Sequence, residues 1–343
     1  MLAYIMRRLL LLPVVLFGVT LLVFAMVQMM DPYTRLSLYV SKSSKVRSDQ
    51  YEVLLHKYGL DRPIHVQYFD WISGVFRGNL GYSESAHDTV AGAIGKFFPA
   101  SAELAIFSVL PLLVLGIRMG VFSATHQDRL GDHAVRIMAI TGWSFPTFVF
   151  GLLMLLVFYG MLGWFPPGRL GAWTLPLMRS GDFVKYTGFN TVDALLNGNM
   201  RLFVDALRHL VLPVITLAYV EWALILRIAR ASTLSALRQD YVTTARAKGL
   251  SEKVVIQKHV KRNAMIPVIT VGGWTVASLI GGVVIVETIF NYPGLGRFAA
   301  DAAIQLDIAA VLGFTLFSGI VMVLANLVVD ILYATVDPRV RLD

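Results

Sequence analysis

Apolar residues fall along this chain in long runs separated by polar stretches. The runs are Leu9–Met30, Ala102–Ala124, Ile137–Phe165, His209–Ala229, Met265–Ile289 and Ile308–Val336. About 20 mostly apolar residues in a helix cross roughly 30 Å of hydrocarbon, so each run is long enough to span a bilayer. Inside lipid every backbone N–H and C=O must be satisfied within the segment, which makes each run a helix. The pattern predicts an all-α, polytopic membrane helix bundle of about six spans. Pro13, Pro111, Pro146, Pro213 and Pro267 lie inside these runs. In water each would argue against a helix; in a membrane bundle the neighbours re-satisfy the freed carbonyls.

The polar stretches supply the rest of the organisation. Asp31–Pro99 is too polar to span and too long for a tight turn. Within it Tyr58-Gly59-Leu60-Asp61-Arg62-Pro63 reads as a turn, and Val66 to Phe76 is amphipathic, with Tyr68, Phe69, Trp71, Ile72, Val75 and Phe76 mixed with polar residues. These features predict a small helical extracytoplasmic insert resting near the headgroups. Trp164-Phe165-Pro166-Pro167 ends the third run with an aromatic anchor and a stop. The expected organisation is a first transmembrane helix at 1–30, the insert at 31–98, a transmembrane domain at 99–336 with a cytoplasmic loop at 239–267, and a tail at 337–343. No tandem repeat or low-complexity tract interrupts it.

Charge fixes an orientation. The 343 residues are 56% hydrophobic and 15% charged, with a formal net charge of +8. Soluble domains carry about 25% charged residues. The excess of positive charge therefore points to one membrane face rather than to nucleic acid. Arg7 and Arg8 precede the first run; Arg118, Arg129 and Arg136 flank the connection after the second; Arg227, Arg230, Arg238, Arg246, Lys248, Lys253, Lys258, Lys261 and Arg262 crowd the connection after the fourth. With an even number of spans all of these, and the tail with Arg339 and Arg341, fall on one side. Both termini are thus expected in the cytoplasm. The first run is longer than a signal-peptide core, and Gln28-Met29-Met30-Asp31-Pro32 is a poor cleavage site, so it reads as a retained span. The absence of cysteine excludes disulfides, thiolate chemistry and Cys-ligated metal sites.

The most informative stretch is the basic connection after the fourth run. Span four is expected to continue as a polar helix to Lys248. Gly249 suits the left-handed position that ends a helix, Ser251 suits an N-cap, and Glu252 suits a first turn. A second short helix then runs to Pro267, where span five begins. Ala245, Leu250, Val254 and Val255 are apolar residues available for a contact. Such a compact, positively charged knob suits docking into a groove on a soluble partner.

This segment resembles the cytoplasmic loop of ABC importer permeases of the dipeptide and oligopeptide branch. The matching residues are Tyr241, Thr244, Ala245, Arg246, Ala247, Lys248, Gly249, Leu250, His259, Arg262, Asn263, Ala264 and Pro267. Glu287-Thr288-Ile289-Phe290 followed by Pro293-Gly294-Leu295-Gly296-Arg297 resembles a second run of that family, and Val336-Asp337-Pro338-Arg339-Val340 its C-terminal motif. The order of spans, with an insert after the first, suits the first of the two permease subunits. The resemblance implies the type I importer transmembrane fold, with a coupling helix around Gly249 that docks on an ATPase. It also implies a second homologous permease, two ATP-binding cassette subunits that hold ATP and Mg, an extracytoplasmic solute-binding protein, and no cofactor on this chain. Two departures bear on the cargo: Thr243-Thr244-Ala245 stands where importers at large carry Glu-Ala-Ala, and only Asp31-Pro32 remains of a longer motif after span one.

Chemistry singles out further candidates along the chain. Glu221, an ionisable group inside a span, is a path-lining candidate, with pairing to Arg227 or protonation as the bland reading. Glu287, Pro293, Gly294 and Gly296 are further path or gate candidates, although Glu103 and Glu287 lie near the outer face, where solvation is the default. Asn326 and Asp330, four residues apart on span six, suggest interhelical hydrogen bonding. His259 has no partner at metal-ligand spacing. Gly92-Ala93-Ile94-Gly95-Lys96 lacks the spacing and the Ser/Thr of a phosphate loop. No Ser/His/Asp grouping or paired carboxylates suggests catalysis. The rivals are an importer of the same architecture for oligosaccharides or nickel, an ion-coupled secondary transporter, and a membrane scaffold.

Overall fold

The structure, a computed structural model, describes residues 2–36, 51–181, 183–280 and 283–336. Helix α1 (Leu2–Gln28) is followed by the short α2 (Pro32–Leu36) and α3 (Tyr51–Lys57) and by the amphipathic α4 (Ile64–Phe76). A small antiparallel ribbon, β1 (Tyr82–Ser83) and β2 (Asp88–Thr89), pairs Tyr82 with Thr89 and leads into α5 (Val90–Thr125). Then come α6 (Leu130–Ser144) and α7 (Thr147–Met154), the latter continuing as π-helical turns over Leu155–Met161. Helices α8 (Thr174–Arg179) and α9 (Asn190–Leu196) precede the long α10 (Met200–Leu237). The basic connection holds α11 (Asp240–Ala247) and α12 (Glu252–Val254), which runs through π-helical turns at Val255–Val260 into α13 (Lys261–Ile280). Helices α14 (Val284–Ile289), α15 (Leu295–Ile304) and α16 (Ile308–Val336) complete the described chain.

The all-α expectation holds, with differences in the spans. Among the described residues four helices, α1, α5, α10 and α16, are long and apolar enough to cross a membrane, and α6 with α7 makes a fifth if that bent pair is one span. The bend is 104°. Its cause is local: Phe145 is extended (φ −81°, ψ 124°), the conformation imposed before a proline, and Pro146 then starts α7. Pro13, Pro111, Pro213 and Pro267 all stay inside their helices. The predicted fifth span is not one continuous helix, because Val283 is non-helical (φ −109°, ψ 70°) and α14 begins at Val284. At 1.5 Å per residue α5 and α10 are each about 55 Å long, well beyond the hydrocarbon, so both carry the bundle outside it.

Helix α10 is the centre of the bundle: 61% of its apolar window is buried, against 17% for α1 and 22% for α16. Its closest neighbour is α5. Gly116 and Gly120, one turn apart on α5, face Ile225 and Ala229 of α10, and a Cβ on Gly120 would stand 2.6 Å from the Ala229 Cβ. Small residues at this spacing let two backbones approach without a hydrophobic driving force between them. Leu104, Leu112, Leu212, Trp222, Ile225 and Leu226 fill the core around that contact. Leu10, Leu22 and Leu110 point outward, as a lipid-facing surface requires.

The insert is built on α1 and α16. Tyr68 of α4 packs edge-on against Phe17 and Phe24 of α1, and its hydroxyl lies 2.8 Å from Thr20 Oγ1. The ribbon is held by Asp307, at the start of α16. One carboxylate oxygen accepts the Ser83 hydroxyl (2.7 Å), the Ser85 hydroxyl (2.8 Å) and the Ser85 N–H (2.9 Å), while the other accepts the Ala310 N–H (3.1 Å). Burial pushes this carboxyl up, but the donors outweigh burial and hold it below the ordinary aspartate value.

Candidate functional site

The knob between α10 and α13 forms a hairpin with a core of its own. Ala236, Val242, Ala245, Val255, Val260 and Ala264 pack together, with Leu237 and Met265 at the margin. Span four does not continue to Lys248. Helix α10 stops at Leu237, Gln239 is extended (φ −84°, ψ 150°), and α11 starts again at Asp240. Two of the four expected contact residues turn inward: Ala245 and Val255 are buried in the hairpin core, whereas Leu250 and Val254 are each 40% exposed. Tyr241 joins them on the surface, as do Thr244, Ala247 and Lys248.

Gly249 ends α11 as expected. Its φ is +75°, its N–H donates to Arg246 O (2.9 Å), and the Leu250 N–H donates to Ala245 O (3.4 Å). These are the two bonds of a Schellman termination, which needs a left-handed residue where glycine stands. Ser251 occupies the N-cap position of α12 without a side-chain capping bond. The two helices are instead clamped by charge: Arg246 Nη2 lies 2.6 Å from Glu252 Oε1, and Arg246 Nε lies 3.1 Å from Oε2. That bidentate pair lowers the Glu252 carboxyl below its ordinary value. His259 is part-buried, Arg262 and Asn263 are exposed, and Asn263 Nδ2 donates to His259 O (3.3 Å). Pro267 does not mark a helix start; it sits within α13, which begins at Lys261.

The Glu-Thr-Ile-Phe…Pro-Gly-Leu-Gly run folds into a knot at the end of the bundle far from the hairpin. Glu287 is fully buried, contrary to the solvated default. Its Oε1 accepts the Ser101 hydroxyl (2.5 Å), and its Oε2 accepts the Arg297 N–H (2.8 Å) in the first turn of α15. Ser101 in turn accepts the Leu295 N–H (2.7 Å). A carboxylate at a helix N-terminus satisfies donors that have no intrahelical partner and suits the helix dipole. The motif glycines make room for it. A Cβ on Gly294 would stand 2.3 Å from Glu287 Cδ, and one on Gly296 would stand 2.9 Å from Val284 N. Pro293 is exposed on the approach to α15.

Glu103 is also buried, on the same helix as Ser101. It pairs with Arg169 (2.6 Å) and accepts the Thr191 N–H and hydroxyl (2.8 and 2.7 Å). At the basic end a second pair joins α6 to α10: the part-buried Arg230 meets the buried Asp132 at 2.8 Å, with Ser123 of α5 hydrogen-bonded to both. Sequence reasoning missed these partners, because each acid meets a base far along the chain and nothing in local spacing marks either one. The interhelical reading of Asn326 and Asp330 finds Asn326 exposed, while the Asp330 side chain lies outside the described residues, as do residues 337–343 with the C-terminal motif.

Glu221 is the path candidate that meets open space. It lies near the middle of α10, part-buried, on the wall of a cavity of about 280 Å³. It does not pair with Arg227, whose guanidinium sits 4.8 Å from the Trp143 ring centroid. Glu287, Gly294 and Gly296 do not join it; they hold α14 to α15.

Comparison with known proteins follows this division of the chain. Residues 116–342 match the family model of binding-protein-dependent transport system inner membrane components, and residues 1–110 match that of their N-terminal part. The di/tripeptide transport system permease protein DppB of Pseudomonas aeruginosa is 39% identical over 99% of both chains. The probable D,D-dipeptide transport system permease protein DdpB of Escherichia coli is 42% identical over 84% of both. The oligopeptide transport system permease protein AppB of Bacillus subtilis is 36% identical over 99% of this chain and 100% of its own. A multi-pass helical bundle, a motif-bearing hairpin between two long helices and matches along the whole chain place it in one family: the chain belongs to the inner membrane components of binding-protein-dependent transport systems, the permeases of ABC importers.

Proposed function

We propose that this chain is one of two permease subunits of an ATP-driven importer of di- and oligopeptides, and that the α11–α12 hairpin is its docking point for an ATP-binding cassette subunit. The observation that carries this reading is the hairpin: a small unit with its own core, clamped by Arg246–Glu252, presenting Tyr241, Leu250 and Val254 together with Lys248. A rigid, exposed knob joined to the central helix can pass a push from a soluble partner into the bundle. Nucleotide binding shifts an inward–outward equilibrium only by favouring one arrangement over the other, so the knob makes different contacts in the two states. The basic end then faces the cytoplasm, with both termini, in keeping with the excess of Lys and Arg there. A second permease completes the path, two cassette subunits hold ATP and Mg, and a solute-binding protein delivers cargo at the opposite end. Relatives named for dipeptide, di/tripeptide and oligopeptide transport support peptide cargo.

The test is uptake of labelled short peptides by proteoliposomes holding this subunit, its partner permease, the ATPases and the binding protein. Uptake that needs both ATP and the binding protein is expected. Turnover of ATP stimulated by a binding protein loaded with an oligosaccharide or nickel, without peptide uptake, would overturn the peptide assignment. Uptake driven by an ion gradient without ATP would overturn the importer.

A further inference from the structure

The geometry points to Glu221 as a station inside the transport path that binds the α-ammonium group of a peptide on its way through. The inference rests on the peptide cargo proposed above and adds to it the residue and the chemical group recognised.

A carboxylate within a membrane span is expensive and is kept where it meets a partner or a water-filled cavity. Glu103, Asp132 and Glu287 each have two or more donors on them. Glu221 has no hydrogen bond or ion pair among the described residues. It faces the cavity bounded by α7, α10, the end of α13 and the start of α14. The cavity is cut into the wall of α10, the most buried of the long apolar helices, and opens on the side where Val284 and Ile285 are exposed. Two helix starts meet there, that of α7 after the 104° bend and that of α14, where Val283 is non-helical (φ −109°, ψ 70°). Discontinuous helices at mid-depth are where transporters place solute sites.

The lining selects a cation that donates hydrogen bonds. Besides Glu221 the polar side chains on the wall are Thr147 and Ser278. Ser278 already donates its proton to Thr275 O (2.8 Å), so its oxygen is left as an acceptor. The Thr147 hydroxyl makes no hydrogen bond among the described residues. A primary ammonium carries three donors and no acceptor, which matches one carboxylate and two hydroxyl oxygens. A metal ion is a poorer fit, since no grouping of three or more His, Cys, Asp or Glu occurs among the described residues. A cavity of about 280 Å³ suits the first residue of a peptide and not a whole oligopeptide.

The experiment uses the complete importer in proteoliposomes and a dipeptide with a free α-amino group and a photoreactive second side chain. Cross-links formed during ATP turnover are mapped by mass spectrometry, and peptide carried per ATP hydrolysed is measured for wild type, E221Q and E221D. Wild type is expected to label α10 and its cavity neighbours. In E221Q both the labelling and the peptide carried per ATP should fall by about tenfold or more, the scale of losing a desolvated charge partner. E221D should recover a substantial part of both. If E221Q fails to assemble, the same comparison is made with T147V, for which a smaller drop in both readouts is expected. Unchanged labelling and peptide per ATP in these variants would overturn the inference, as would loss of ATP turnover and transport in equal proportion, which is what a purely structural Glu221 would give. A wild-type importer that carries no peptide would overturn the proposed function itself, and so separates the two failures.

Discussion

At the scale of single residues, the acids in this chain sort by what surrounds them and not by where the sequence puts them. Glu287 looks like an outer-face carboxylate and is instead a buried cap for α15, with Gly294 reading as glycine because that carboxyl group fills the space a Cβ would need, and Gly296 because the Val284 backbone does. Gly294→Ala should therefore force Glu287 off its donors and leave a buried charge unsatisfied. A loss on the order of 2–3 kcal/mol is expected, seen as a lower unfolding temperature of the detergent-purified complex. A wild-type melting curve would refute the cap. Arg246 and Glu252 behave differently because both are exposed, and their pair contributes at most about 1 kcal/mol. Arg246→Glu sets two carboxylates face to face across Gly249 and should reduce ATP-coupled uptake severalfold. If the pair serves only to hold the hairpin, the swap R246E/E252R restores uptake; if Arg246 also touches the ATPase, the swap does not, and the coupling energy from the double-mutant cycle separates the two.

At the scale of elements, much was legible from period and length, and what was not has identifiable causes. The apolar runs gave α1, α5, α10 and α16, and the amphipathic stretch gave α4, because burial in lipid and burial against one face each impose a pattern on sequence. The bend before α7 was hidden, since a proline in an apolar run looks the same whether the helix absorbs it, as at Pro111 and Pro213, or breaks, as at Pro146. The hairpin was visible through Gly249 and the matched motif, but its core was not: Ala245 and Val255 look as available as Leu250 until the two helices fold on each other. The ribbon at Tyr82–Thr89 was missed because two-residue strands carry no period. What holds that ribbon is Asp307, which yields a pH prediction. Its carboxyl is lowered in the folded state, so its contribution is complete above the ordinary aspartate value of about 4 and is lost as pH falls through the lowered value. Hydrogen exchange of the ribbon amides should stay slow from neutral pH down to about pH 4 and accelerate below it. In D307A it should be fast throughout, and a ribbon equally protected with and without the carboxylate would refute the tether.

At the scale of the whole molecule, the arrangement joins three stations through one helix. Helix α10 carries Glu221 near its middle and is tied to α6 through Arg230 and Asp132 near its end, one extended turn before the hairpin. A displacement of the hairpin is thus delivered to a helix already clamped to its neighbours by charge at one end and by the Gly116–Gly120 contact along its length. The absence of cysteine makes the direction of this linkage measurable, because every introduced thiol in this subunit is unique. With the basic end in the cytoplasm, a membrane-impermeant maleimide should label L250C and V254C in inside-out vesicles and not in intact cells. V255C should resist in both, since Val255 is fully buried in the hairpin core. Assembly with the ATPase subunits should then slow labelling of L250C and V254C by about tenfold or more if that face is the docking surface, as burial in the dry centre of an interface would. Labelling from the outside of intact cells would invert the topology. Labelling of both thiols at the same rate with and without the ATPase would leave the hairpin on the correct side of the membrane but remove it from the coupling interface.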